Sequence, residues 1–112
     1  MSVATQDSGQ TRIVTVTEPR IDAALAIRFK DDMRTATKDA PERVVLDLAG
    51  VEFVDSSGLG AIVGSMKQLG AGRRLDLAGL TPLVEKVFRL TRMDAVFRIF
   101  PSVDVAMNPE PD

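Results

Sequence analysis

Between Thr11 and Thr17 the chain is β-branched and partly alternating, a strand pattern that Pro19 prevents from continuing as a regular ladder. From Ile21 the period changes. Ile21, Leu25, Phe29 and Met33 recur at four-residue steps with Ala36 on the same side, while Arg28, Lys30, Asp31 and Arg34 fall elsewhere. That spacing predicts an amphipathic helix ending before Pro41. Val44 to Leu48 is short and almost wholly apolar, as expected of a strand covered on both faces in a parallel sheet. Gly50 punctuates the chain, and Val51 to Val54 leads into Asp55, Ser56, Ser57 and Gly58. Beyond them Leu59, Ile62, Val63, Met66 and Leu69 form a second helical stripe, closed by Gly70 and Gly72.

Leu75 to Ala78 reads as a further strand, and Thr81 with Pro82 as a helix start, a capping hydroxyl followed by proline at the first helical position. Leu83, Val84, Val87, Phe88 and Met93 are expected to face inward from that helix. Val96 to Phe100 reads as the last strand, and Ser102 as the cap of a brief helix over Val103 to Met107. Strands alternating with helices through short connections imply crossover units. The expected class is therefore α/β, a mixed and mostly parallel sheet of about four to five strands layered with about four helices. Residues 1–10 read as a polar N-terminal segment with a short edge strand near Val3 and turn chemistry at Asp7, Ser8 and Gly9; 11–107 as the folded domain; and 108–112, with Pro109 and Pro111, as a loose tail.

Composition narrows what such a domain does. At 112 residues the chain is long enough for one core and too short for two. The formal net charge of −2, with both signs interspersed, provides no basic field for nucleic acid. Trp and Tyr are absent and there are five Phe, so stacking platforms for single strands are missing as well. No apolar run approaches the roughly 20 residues of a membrane span, and the polar start lacks the features of a signal peptide, so a cytoplasmic protein without a membrane partner is expected.

Histidine and cysteine are both absent, which removes the usual nucleophile–base pairs and thiolate metal sites. Asp31 and Asp32 lie in a helical pattern without the spaced carboxylates of a calcium loop, and a solvated face is the expected role. Gly58, Gly60 and Gly64 follow a strand and open a helix, which resembles a dinucleotide-binding turn. The third glycine falls one residue late for G-x-G-x-x-G, however, and no phosphate-binding lysine motif follows Gly70. Neither an enzyme nor a bound cofactor is expected.

What remains is the polar turn Asp55, Ser56 and Ser57 at the mouth of the second helix. Capping is the plain explanation, since Asp and Ser are preferred N-cap residues, but a cap needs one oxygen and three consecutive residues offer one. On the expected outward face of the same helix Gly60, Ala61 and Gly64 cluster opposite the apolar stripe. Glycine inside a helix costs roughly 1 kcal/mol relative to alanine, so this smooth patch has a reason: close approach by a partner, or internal packing. A helix N-terminus also favours a phosphate on a nearby hydroxyl.

The run VVLDLAGVEFVDSSGLG from Val44 to Gly60 closely resembles the signature of STAS-domain anti-sigma factor antagonists. The resemblance continues through LDLAGLTPLVEKVFRL from Leu75 and FRIFPSVDVA from Phe97, covering nearly all of the chain beyond Thr11. It implies the STAS fold and places the phosphoacceptor at the first serine after the aspartate, Ser56, with Ser57 its neighbour. It further implies partner switching. The unmodified protein binds an anti-sigma factor with a histidine-kinase-like ATPase fold and so releases a sigma factor; phosphorylation by that kinase ends the complex, and a serine phosphatase restores it. The nucleotide then belongs to the kinase. Asp22, Asp55, Ser56, Ser57, Gly58, Gly60, Ala61 and Gly64 are the expected partner-binding residues. Asp22 matches the family's Gly-x-x-Asp loop, from which Pro19 departs, and the final helix is shorter than usual. STAS domains also serve as unmodified scaffold subunits of signalling or lipid-transport complexes, and the Asp-Ser-Ser-Gly turn favours the phosphoswitch class over that alternative.

Overall fold

The computed structural model describes residues 1–108. In chain order the elements are β1 (Val3–Ser8), β2 (Thr11–Val16), β3 (Arg20–Ile21), α1 (Ala26–Ala36), β4 (Arg43–Asp47), β5 (Phe53–Val54), α2 (Ser56–Leu69), β6 (Arg74–Ala78), α3 (Pro82–Leu90), a 3₁₀ turn (Met93–Ala95), β7 (Ile99–Phe100) and α4 (Val103–Met107). β1, β2, β4, β6 and β7 form a five-stranded sheet in that order, and β3 pairs with β5 in a separate two-stranded sheet. β1 is antiparallel to β2, and every other pairing in both sheets is parallel. The α/β class and the mixed, mostly parallel sheet with its four helices are as the pattern predicts.

The main core lies between one face of the large sheet and α1, α2 and α3. The four-residue stripe is buried as expected: Leu25, Phe29, Met33 and Ala36 pack with Val14, Val16, Val44 and Leu46. Ile21, its first member, is fully buried but belongs to β3, so the helix begins at Ala26. The apolar strand Val44 to Leu46 is fully buried on both faces. On the second face Val45 and Ala78 pack against Ala106 of α4. The same face holds Asp76, only 2% exposed, which Arg43 and Arg74 neutralise at 2.8 and 3.4 Å. Arg43 also donates to the carbonyl of Ala106 and so ties α4 to the sheet.

Several expectations need correction. The edge strand expected near Val3 is there as β1, but it is longer than expected, six residues paired along their whole length with β2, because the turn at Gly9, whose φ is +59°, returns the chain directly. Thr81 does not cap α3; its hydroxyl donates to the carbonyl of Val51 and ties the helix start to the chain before β5. Leu83 points to solvent, since the inward face of α3 is carried by Val84 and Phe88. Only Ile99 and Phe100 of the expected last strand pair with β6; Phe97 is buried edge-to-face on Phe88. Ser102 caps α4 as expected. From residue 109 on, the expected tail lies outside the described residues.

Candidate functional site

Parallel crossovers place the starts of α1, α2 and α3 at one end of the sheet, and the Asp-Ser-Ser-Gly turn sits there as the N-terminus of α2. Asp55 is the N-cap. Its Oδ1 accepts the Gly58 amide at 2.8 Å, while its extended backbone starts the helix through its own carbonyl, which accepts the Leu59 amide at 2.8 Å. Its Oδ2 accepts the amide of Ala23 at 3.1 Å. One carboxylate therefore holds two loops, the entry to α2 and the connection from β3 to α1. The sequence carried no sign of the second contact, which spans 32 positions and uses a backbone donor.

Ser56 and Ser57, the first two residues of α2, are both exposed. The cap is complete without either hydroxyl. Amides in the first turn of a helix have no partner within it, so Ser56 stands where the helix dipole is positive.

Asp22 shapes the turn that leads into α1, whose N-cap is Leu25. Its Oδ1 accepts the Leu25 amide at 3.2 Å, its carbonyl accepts the amides of Leu25 and Ala26, and Arg20 lies 3.4 Å from its other oxygen. Arg20 in turn stacks over the Phe53 ring, 4.3 Å from its centroid. This network joins β3 to β5 below the serine turn. Asp22 is thus a loop-shaping residue adjoining the turn.

The small residues of α2 divide into two kinds, and the outward patch needs correction. Gly58 is buried, and a Cβ there would lie 1.8 Å from the carbonyl oxygen of Ile21, so this glycine exists to let the β3–α1 junction pass. Ala61 is also buried, 4% exposed, because it lies on the inward arc with Gly58, Ile62 and Ser65. Gly60 is exposed, with nothing within 4 Å of its Cβ position. Gly64 is half-buried beneath the stem of Lys30, whose Cε lies 3.0 Å from its Cβ position. The surface around the turn is therefore Ser56, Ser57 and Gly60, with Gly64 at its edge under Lys30.

This arrangement defines a layered α/β domain that exposes two serines at the mouth of a helix. Residues 2–106 match the STAS domain family, and the chain belongs to it. A relative from Paenibacillus polymyxa, an anti-sigma F factor antagonist, is 37% identical over 68 residues, which span 60% of this chain and 56% of that protein. The crystal structure of an anti-sigma factor antagonist from Mycobacterium paratuberculosis superposes with a TM-score of 0.84 at 25% identity, covering 95% of this chain and 90% of that one. The Bacillus cell fate determinant SpoIIAA in its phosphorylated form shares the fold with a TM-score of 0.67 at 20% identity, covering 95% and 96%. No helix among the described residues is long and apolar enough to cross a membrane, and no group of His, Cys, Asp or Glu among them is arranged to hold a metal ion.

Proposed function

We propose that this chain is a cytoplasmic anti-sigma factor antagonist, active when Ser56 is unmodified and switched off when that serine is phosphorylated. Its partner is an anti-sigma factor with a histidine-kinase-like ATPase fold, which is also the kinase, and a serine phosphatase resets the cycle. The chain performs no catalysis of its own. Family membership and the names of its relatives support the antagonist role. The observation that carries the switch is that Ser56 is exposed at the first position of α2 while Asp55 alone makes the cap.

That division of labour matters chemically. A kinase can modify Ser56 without breaking a hydrogen bond that the fold uses. The helix dipole offsets part of the added charge of about −1.5 to −2, and Asp55 opposes it as a like charge. A partner seated over the turn must instead strip water from the phosphate and meet its bulk. Each 1.4 kcal/mol of that penalty is a tenfold loss of affinity.

The test is phosphorylation by the recombinant anti-sigma factor from the same genome with ATP, followed by mapping of the phosphate. Ser56→Ala should remain unmodified and keep binding the anti-sigma factor in the presence of ATP, whereas Ser57→Ala should still be switched off. Phosphate found chiefly on Ser57, or absent from both serines, overturns the assignment.

A further inference from the structure

At the far end of α1 and α2 from the serine turn, the segments that follow the two helices enclose a cleft of roughly 560 Å³. Three cations, Arg34, Lys38 and Arg73, line it against one carboxylate, Asp39, a local balance of +2 (three minus one) in a chain whose formal net charge is −2. Cations near helix C-termini ordinarily answer the negative end of the dipole. Here that duty falls to other groups. Arg12 donates to the carbonyls of Ala36 and Lys38, each at 3.0 Å, and the Thr37 hydroxyl donates to the carbonyl of Met33 at 2.7 Å. Among the described residues Lys38 and Arg73 form no ion pair, and Arg34 has only an exposed one with Asp31 at 3.4 Å, a kind worth little. Gln68 lines the same cleft. Its Oε1 is the one buried side-chain oxygen or nitrogen among the described residues that has no hydrogen-bond partner. A buried acceptor left without a donor is costly, and beside an unneutralised cation cluster it marks a second unmet demand in one place.

We propose that this cleft binds a small hydroxylated organic anion, its phosphate or carboxylate head among Lys38, Arg73 and Arg34 and its hydroxyl donating to Gln68 Oε1. The head meets guanidinium and ammonium donors that the fold leaves without a counter-charge. Among the lining residues Leu69 is the one hydrophobic residue and none is aromatic, so neither an acyl chain nor a nucleobase finds a surface here. The ligand is therefore a compact, water-soluble metabolite. Its site stands apart from the serine turn and does not depend on the antagonist reading. Because the lining comes from both α1 and α2, an occupant also ties together the two helices that carry the turn at their other ends.

Glycerol 3-phosphate is the probe, with inorganic phosphate as the head alone, each titrated into the full chain at low salt and followed by amide NMR and thermal unfolding. Saturable shifts are expected around residues 34–39 and 68–73. Glycerol 3-phosphate should bind about tenfold more tightly than phosphate, the worth of one hydrogen bond to a buried acceptor, and at ten times its Kd it should raise the melting midpoint by about 6 °C. Lys38→Gln and Arg73→Gln, both at exposed positions, should each weaken it about tenfold. Arg92→Gln, which removes the same charge in the turn after α3, should leave it unchanged. Gln68→Met keeps the volume and removes the acceptor, so the free chain should melt higher while glycerol 3-phosphate falls to the affinity of phosphate. No saturation below about 10 mM, or equal losses in Arg92→Gln and Arg73→Gln, would sink the site. Equal binding of the two probes to the wild-type chain would leave a bare cationic patch and overturn the role given to Gln68.

Discussion

Gly58 offers the sharpest test of how the serine turn is built. Replacing it with alanine puts a methyl group 1.8 Å from the Ile21 carbonyl oxygen, 2.7 Å from the carbonyl carbon and 3.1 Å from Cγ2 of the same residue. Two of the three are backbone atoms, and Ile21 is fully buried, so no flexible side chain can swing away. Relief requires the β3–α1 junction to retreat, which pulls the Ala23 amide from Asp55. Overpacking of this kind costs about 3 kcal/mol, and alanine's better helix propensity returns about 1, leaving a net loss of roughly 2 kcal/mol. Unfolding entropy of about 2.1 cal/mol/K per residue over 112 residues converts that loss into a fall of about 8 °C in melting temperature. Gly60→Ala is the matched control. Its methyl group meets nothing, so the same propensity gain appears alone and raises the midpoint by about 4 °C. Thermal unfolding followed by circular dichroism reads both. A Gly58→Ala protein that melts at or above the wild-type temperature would refute the close approach and the role assigned to this glycine.

Asp32 provides a pH-dependent counterpart. Its Oδ2 accepts from both the amide and the hydroxyl of the fully buried Ser2, at 2.8 and 2.7 Å, and these bonds, with the nearby Arg28, hold its carboxyl below the usual range. That stabilisation is complete above the unfolded carboxylate pKa of about 3.9 and is lost as pH falls through the lower folded value. Asp32→Asn should therefore cost about 1 kcal/mol at pH 7 in urea unfolding, with the gap to wild type closing below about pH 4; a gap constant with pH would contradict the charge-based account. Phosphorylation of Ser56 should shift amide NMR signals around residues 55–64 and, through Asp55, around 21–23, leaving β1, β2 and β6 unmoved. Shifts spread through the large sheet would mean that the phosphate remodels the domain.

The elements legible in the sequence were those whose burial imposes a period. β2 and the Leu25, Phe29, Met33 and Ala36 stripe of α1 announce themselves because one face of each must be apolar, and β4 because both of its faces are covered and it reads as a continuous apolar run. Caps that use a local side chain were legible too, as at Asp55 and Ser102. The two-stranded sheet was not, because β3 and β5 contribute two residues each and no period develops over that length. Thr81 misled for a related reason: its hydroxyl had a choice between the helix start and a carbonyl 30 positions away, and only the folded chain decides. Within α2 the burial of Ala61 was missed because neighbouring positions on a helix are about 100° apart, and its packing against both β6 and α1 widens the inward arc past the strict stripe. The buried Asp76 likewise depends on Arg43, 33 positions earlier.

Three further contacts share a location and a consequence. Ala23 on Asp55, Ile21 over Gly58 and Lys30 over Gly64, which the sequence also concealed, join the chain from β3 through α1 to α2 and its cap at or beside the serine turn. They are long-range, and two of the three use backbone atoms of the β3–α1 segment, so they leave almost no mark on local pattern. Their effect is to make the face around Ser56 a rigid unit of two helices. Asp55 spends both carboxylate oxygens on backbone amides, one in each loop, and this leaves the serine hydroxyl free of structural duty. A modifiable residue is most useful where the fold does not need it and a partner does. A phosphate placed there would meet a dipole and a carboxylate of opposite effect, each worth on the order of 1 kcal/mol, so the free domain is expected to change little in stability. On the proposed reading, a partner pressed against this preorganised surface would have no loop to move aside, and for it the same group would be both a steric block and an uncompensated charge.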